Sequence, residues 1–287
     1  MRILSGGPEE AAAPSGLRHG VAGVGVSTLA GQWYCELKVD LKYRHPEISV
    51  VSPAMARGTA GHGALAADAV PMTPEELEVR VRLGEDVFLQ ESRFTAPIHE
   101  ATVVGVPDLI HLQGRDARLV LEFKFSKRDD LFIDRFIQAQ TYGLLLEGSG
   151  YGMEQTVCVI GVLPSRDQLR QERTLDQVLE RCAELCERIA RSPRHVFSLC
   201  SRGESGTLHA FRFDSRTAKN HLRWALDYWK ERREAVATRH ASKCRVCPFN
   251  AARVCSKARA APDDRFRVLP AILDGRPTLE VKWQEGP

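Results

Sequence analysis

The sequence predicts an α/β fold, on three observations. Runs rich in Val, Ile, Phe and Thr, the composition of strands, fill residues 86–126 and return at 155–164. Longer stretches with helical signals lie before and after that block. Strands met by helices on both sides along the chain are the pattern of helices packed on a sheet.

Each element has its own reason. Residues 1–20 are rich in Gly, Ala, Pro and Glu, and are expected to be a flexible segment. From Ser27, "STLAGQWYCELKVDLKYRH" predicts a helix opened by a serine cap. "ARGTAGHGALAADAV" predicts a weaker helix, loosened by three glycines. "DVFLQESRFTAPI", "ATVVGVPDLIHL" and "RLVLEFKFS" read as strands. "RDDLFIDRFIQAQTYGLLLEG" reads as a helix with Asp at its start and Gly148 at its end. "QTVCVIGVLP" is a short buried strand, and "TLDQVLERCAELCERIARS" and "SRTAKNHLRWALDYWKERREAVATRH" are helices. Two strand-like pieces, "FRVLPAIL" and "TLEVKW", sit in the last thirty residues.

Composition narrows the class. The 287 residues can bury a sizeable core, and 43% hydrophobic with 27% charged is ordinary for a globular protein. A net charge of +3 means that any nucleic-acid affinity comes from a local patch. No apolar run is long enough to span a bilayer. The start lacks the apolar core of a secretory signal, so the cytoplasm is the expected location. There, eight cysteines point to metal ligands or buried thiols in preference to disulfides.

The strand "RLVLEFKFS" carries Glu122 and Lys124 two residues apart. Alternation puts Leu119, Leu121, Phe123 and Phe125 on one face, and Val120, Glu122, Lys124 and Ser126 on the other. Alone, the two charges fit a solvated face with a weak ion pair. The preceding strand adds a neighbour. If a hairpin forms across "QGRDA" with Leu112 facing Arg118, Asp108 falls opposite Glu122. Two carboxylates so placed call for a cation, and Mg²⁺ takes such oxygen ligands while keeping waters for chemistry. Lys124 could then hold an anionic substrate oxygen or a polarised water. A slip of one residue would undo the arrangement.

"GVPD" followed by "EFK" resembles the Asp…Glu-x-Lys signature of the PD-(D/E)XK nuclease superfamily, at Asp108, Glu122 and Lys124. Gln138 and Tyr142, one turn apart on one helix face, resemble the Gln-x-x-x-Tyr of its RecB-like branch, with Arg135 extending the stripe. Taken alone they fit a surface glutamine and a half-buried tyrosine. Gly58-Thr-Ala-Gly-His62 resembles the same branch's Gly-x-x-x-His. Cys244, Cys247 and Cys255 form a metal-site triplet, and Cys35 is the candidate fourth ligand. One cysteine before the core and three after it resembles the iron–sulfur subset of this branch. That subset includes exonuclease V and the CRISPR-associated spacer-acquisition nucleases. The seven residues before Cys255 depart from the five common there.

The resemblance implies a restriction-endonuclease-like mixed sheet flanked by helices over residues 21–257, with a metal cluster joining its N- and C-terminal helical parts. Residues 258–287 follow as an extension that could dock a partner. It implies a deoxyribonuclease, expected to be an exonuclease on single strands or DNA ends, with CRISPR integrase proteins as expected partners. His62, Asp108, Glu122 and the Phe123 carbonyl would hold Mg²⁺ or Mn²⁺. Arg135, Gln138 and Tyr142 would meet the DNA. The four cysteines would hold a 4Fe–4S cluster, with structural Zn²⁺ as the alternative that spacing alone leaves open. No Walker A motif accompanies these features, so no built-in helicase is expected. The rival readings are a non-catalytic nucleic-acid-binding or assembly subunit, a nuclease acting on RNA, and a repair exonuclease outside CRISPR.

Two further sets read as core. Cys182 and Cys186 continue an apolar helical stripe, and Cys158 sits in a buried strand. In the last long helix Trp224 and Tyr228 read as core, and its arginines as candidate phosphate contacts.

Overall fold

Strand β9 (Asp116–Phe125) is the longest strand described and lies near the middle of the main sheet. The computed structural model describes residues 2–4, 16–51, 70–126, 129–163 and 172–284. The sheet has eight strands in the order β11 (Ser198–Gly203), β12 (Gly206–Arg212), β10 (Val157–Leu163), β9, β8 (Leu109–Gln113), β5 (Asp86–Gln90), β1 (Arg2–Leu4) and β4 (Val70–Pro71). It is mixed: β9 runs parallel to β10, and β1 parallel to both β5 and β4, while the other pairs are antiparallel.

Both faces of β9 are covered. Helix α3 (Ile133–Gly148) forms the crossover from β9 to β10 and packs on one face. Helix α4 (Glu172–Arg191) covers the other. Leu119, Leu121 and Phe123 join Val178, Cys182, Leu185 and Ile189 of α4. Val120 joins Ala139 and Tyr142 of α3. The alternation is as the sequence predicts, but the Glu122 face is not solvated, because α3 lies across it.

Two long predicted strands each break in two. The first becomes β5 and β6 (Phe94–Ile98), and the second becomes β7 (Ala101–Gly105) and β8. Both breaks fall at one level, and the chain there leaves the large sheet for a small one of β6, β7 and β2 (Val24–Gly25). Glu91 takes a left-handed φ of 44° in the first corner and donates its N–H to the Asp108 carbonyl at 3.3 Å. Pro107, which has no N–H to leave unpaired, lies in the second. Asp108 is the last residue of that corner.

Several boundaries differ from expectation. Helix α1 (Val26–Arg44) begins at Gly25, with no side-chain cap; Ser27 is inside it. Residues 129–132 are not helical, so α3 starts at Ile133. Helix α5 (Ser215–Trp229), capped by Asp214 accepting from the Thr217 N–H at 2.8 Å, stops eleven residues before His240. An unforeseen helix, α2 (Pro74–Arg82), has a reciprocal cap between Thr73 and Glu76. The expected flexible start is ordered in part: Arg2–Leu4 is a strand, and Leu17 is buried. The hairpin β13 (Phe266–Leu273) and β14 (Arg276–Trp283) adds in parallel to β3 (Ile48–Val51). Val281 of that hairpin packs with Leu41, Cys247 and Phe249. Among the described residues no helix is long and apolar enough to cross a membrane.

Candidate active site and cysteine pocket

The β8–β9 register decides what Asp108 meets. Leu109 faces Leu121, Ile110 faces Val120 and His111 faces Leu119. The next step back from Leu109 therefore sets Asp108 beside Glu122, as the alternation requires. At the loop end an irregularity between His111 and Leu112 shifts the pairing, so Leu112 faces Ala117 and not Arg118. The expected loop contact was wrong, while the expected carboxylate pairing survives, because the shift lies on the far side of the strand.

Asp108 and Glu122 are both buried, at 2% exposure each. Asp108 Oδ2 accepts the Phe123 N–H at 2.5 Å. Glu122 Oε1 accepts from Lys124 Nζ and from Gln138 Nε2, each at 2.7 Å. Gln138 Nε2 also reaches the Tyr142 hydroxyl at 3.0 Å. The Gln-x-x-x-Tyr face of α3 therefore points inward onto Glu122. Burial, and then the Glu122 charge, hold the Tyr142 hydroxyl well above its ordinary pKa, so it stays a neutral donor. Lys124 is the member of the group that reaches water, at 27% side-chain exposure. Two buried carboxylates beside one ammonium leave a net negative centre, suited to a divalent cation. Phe123 supplies its N–H to Asp108 and its ring to the core. Arg135 lies at the start of α3, donating to the Asp130 carbonyl at 3.1 Å. His62 lies outside the described residues.

The second predicted set comes together from the two ends of the chain. Cys35, Cys244, Cys247 and Cys255 all line one pocket. Cys35 interrupts α1 with an extended backbone (φ −167°, ψ 108°). Cys244 lies on α6 (Ala241–Arg245), and Cys247 caps α7 (Pro248–Ala251). Among the described residues, no group of three or more His, Cys, Asp or Glu side chains is set to hold a metal ion. The thiols thus share a pocket without forming a closed coordination shell. Their chemistry still suits a thiolate-bound group. Burial raises the Cys247 thiol pKa, while the Asn250 and Phe249 N–H groups and Lys38 act the other way. Lys38, Lys243 and Lys257 line the same pocket, so an anionic centre would meet positive charge.

Sequence reading missed what holds this pocket in place. Glu36, beside Cys35 and fully buried, takes both Nη atoms of Arg233, at 2.5 and 2.6 Å, and the Val236 N–H at 2.8 Å. Gln32 donates to Glu36 at 2.5 Å and to the Ala225 carbonyl at 3.0 Å, and accepts from the Trp229 ring N–H at 3.1 Å. Asp40 accepts from the Tyr228 hydroxyl at 2.8 Å. The signal was present: Gln32, Glu36 and Asp40 recur every four residues along α1, a polar stripe at helical spacing. Tyr228 and Trp229 are fully buried in this bundle, and Trp224 lies under the Arg233 guanidinium at 4.1 Å. Arg233, within the stretch expected to offer phosphate contacts, is committed to Glu36. Cys158, Cys182 and Cys186 belong to the core, and burial pushes Cys182 up to about 12.

No known family's profile matches the chain, and no curated protein resembles it. Among solved structures, one named "Crystal structure of SSO0001" is similar to it at 13% identity, covering 82% of this chain and 85% of that one with a TM-score of 0.40. A likeness that loose carries no argument. What the coordinates define is a mixed α/β protein with helices flanking a mixed sheet.

Proposed function

We propose that this chain is a metal-dependent deoxyribonuclease built on a PD-(D/E)XK core of the RecB-like kind. The observation that carries the reading is the buried pair Asp108 and Glu122 at a strand corner, with Lys124 on the same face and Gln138 and Tyr142 closing over Glu122. Burying a carboxylate pair is costly, and such groups concentrate at functional sites. Asp108, Glu122, the Phe123 carbonyl and His62 would hold Mg²⁺ or Mn²⁺. Such a cation, when bound, supplies a more acidic water and a counter-charge for the scissile phosphate.

The chain's own groups do the rest. Lys124, released from Glu122, holds a phosphate oxygen or the attacking water and offsets developing charge. Gln138 fixes the Glu122 carboxylate, and Tyr142 in turn receives the second Gln138 contact, so the acid is oriented before substrate arrives. In the same reading the four cysteines bind a 4Fe–4S cluster, or zinc, as a structural clip.

The test is cleavage of single-stranded DNA, duplex DNA and RNA, with Mg²⁺ or Mn²⁺ against EDTA. Wild-type protein should cut DNA only with the metal. Asp108→Ala should lose cleavage yet still bind DNA, and Lys124→Ala should lose about 10²–10³ in rate. Wild-type rates in Asp108→Ala would remove the assignment. Metal-independent binding without cleavage would favour a non-catalytic subunit.

A further inference from the structure

Three consecutive apolar residues stand in solvent at the start of the helix that carries Gln138. Leu131, Phe132 and Ile133 are 37%, 42% and 49% exposed. Scattered exposed hydrophobics are ordinary, but a contiguous exposed run is a candidate contact site. The run closes the connection from Lys124 to α3, and Phe132 is the residue immediately before the helix. Gln138 follows six residues later, so its backbone lies about 9 Å further along the helix axis.

Asp129, just before the run, is held in place. His209 Nε2 meets the Asp129 carbonyl at 2.6 Å, and Arg202 Nε and Thr207 Oγ1 meet the Asp129 carboxylate at 3.2 and 3.4 Å. Arg202 and Thr207 share a cross-strand row with Val162 and Lys124, so the anchors stand on the strands beside the candidate site. On its other side, the Arg135 guanidinium lies over the Phe132 ring at 5.0 Å. An aromatic face paired with a guanidinium is the chemistry of base stacking. A paired base in a duplex hides its face, whereas an unpaired base offers it.

We infer that Phe132, backed by Arg135, is a stacking platform for an unpaired base of the strand whose phosphate reaches Lys124. The inference rests on the nuclease reading for its neighbour, but it makes a separate claim, namely selectivity for single strands through one ring. The experiment is fluorescence anisotropy with a labelled single-stranded DNA and the matching duplex, in EDTA so that nothing is cut. Phe132→Ala should weaken single-strand binding roughly ten-fold and leave duplex binding within about two-fold. Phe132→Trp should keep wild-type affinity, and Phe132→Leu, apolar but without a ring, should fall with alanine. Unchanged binding in Phe132→Ala, an equal loss on both DNAs, or rescue by leucine would overturn the platform. Cleavage is scored separately. Ring-dependent binding without any cleavage would sink the nuclease reading and leave the platform standing. Cleavage with ring-independent binding would do the reverse.

Discussion

The carboxylate pair and the cysteine pocket gather their residues in opposite ways. Asp108, Glu122, Lys124, Gln138 and Tyr142 come from one hairpin and the helix that follows it. Their positions follow from strand alternation, a local register and one helical turn. The cysteines come from α1 and from a segment about two hundred residues later, and nothing local brings them together. That task falls to the buried polar contacts of α1 with α5 and with the chain just after it, chiefly Glu36 with Arg233. The comparison teaches that short-range order can be set by pattern, while long-range closure needs explicit ties whose loss is felt across the molecule.

The comparison breaks if the cysteine region proves as self-sufficient as the hairpin. Cys35→Ala tests this most strongly. Closing a loop of this length contributes about 5 kcal/mol in the chain-entropy picture used for cross-links. If the four thiols hold a metal as proposed, the variant should lose it and melt at least about 10 °C lower. Calorimetry and metal analysis on the same preparation read both. Retention of metal and melting temperature together would show that Cys35 is not a ligand. Next in size is Arg233→Ala, which leaves the buried Glu36 carboxylate without its partner at a cost of about 3–5 kcal/mol. Hydrogen exchange should show α1 and α5 opening first, with β8 and β9 still protected. Uniform loss of protection would mean the two regions are one cooperative unit.

The smallest effect is alkaline. Tyr34, beside Cys35, has its pKa raised to about 12 by burial and then by the Cys247 and Cys35 thiols. A phenol that binds its proton more tightly when folded loses stability as pH rises from its unfolded value near 10 toward 12. The melting temperature should decline over that range. Tyr34→Phe should flatten part of the decline, since Tyr142 and Tyr228 shift in the same direction. A slope unchanged by Tyr34→Phe would show that this phenol is not held by the pocket.

Legibility followed the same division. The pairing of Asp108 with Glu122 was readable because alternation and a short loop leave few registers. The irregularity at Leu112 was not, since an extra residue in one strand leaves no mark on composition. The break into β7 and β8 was hidden because Val-Pro-Asp inside an apolar run still reads as strand. Strands β11 and β12 went unseen, their apolar residues diluted by Arg, Glu and Gly. The overrun of α5 has a plain cause. No Gly or Pro marks its end, which Glu231 makes with a left-handed φ of 58°. Helix α2 was legible in principle, since Thr-Pro-Glu-Glu spells a capping box. Spacing marked the triplet Cys244, Cys247 and Cys255, and the family resemblance added Cys35, but that all four would line one pocket depended on Glu36 and Arg233, which no spacing connects.

The hydrogen bond from the Phe123 N–H to Asp108 has a consequence for how the sheet ends. Beyond the pair Leu109 and Leu121 the backbone turns into the corner, and a side chain takes over the pairing for one more step. Asp108 is thus a rivet as well as an acid, with one carboxylate oxygen fastening β9. The roles separate by substitution. Asparagine can keep the fastening through its amide oxygen while surrendering the charge, whereas alanine gives up both, and the edge of the sheet is then free to fray from the corner inward.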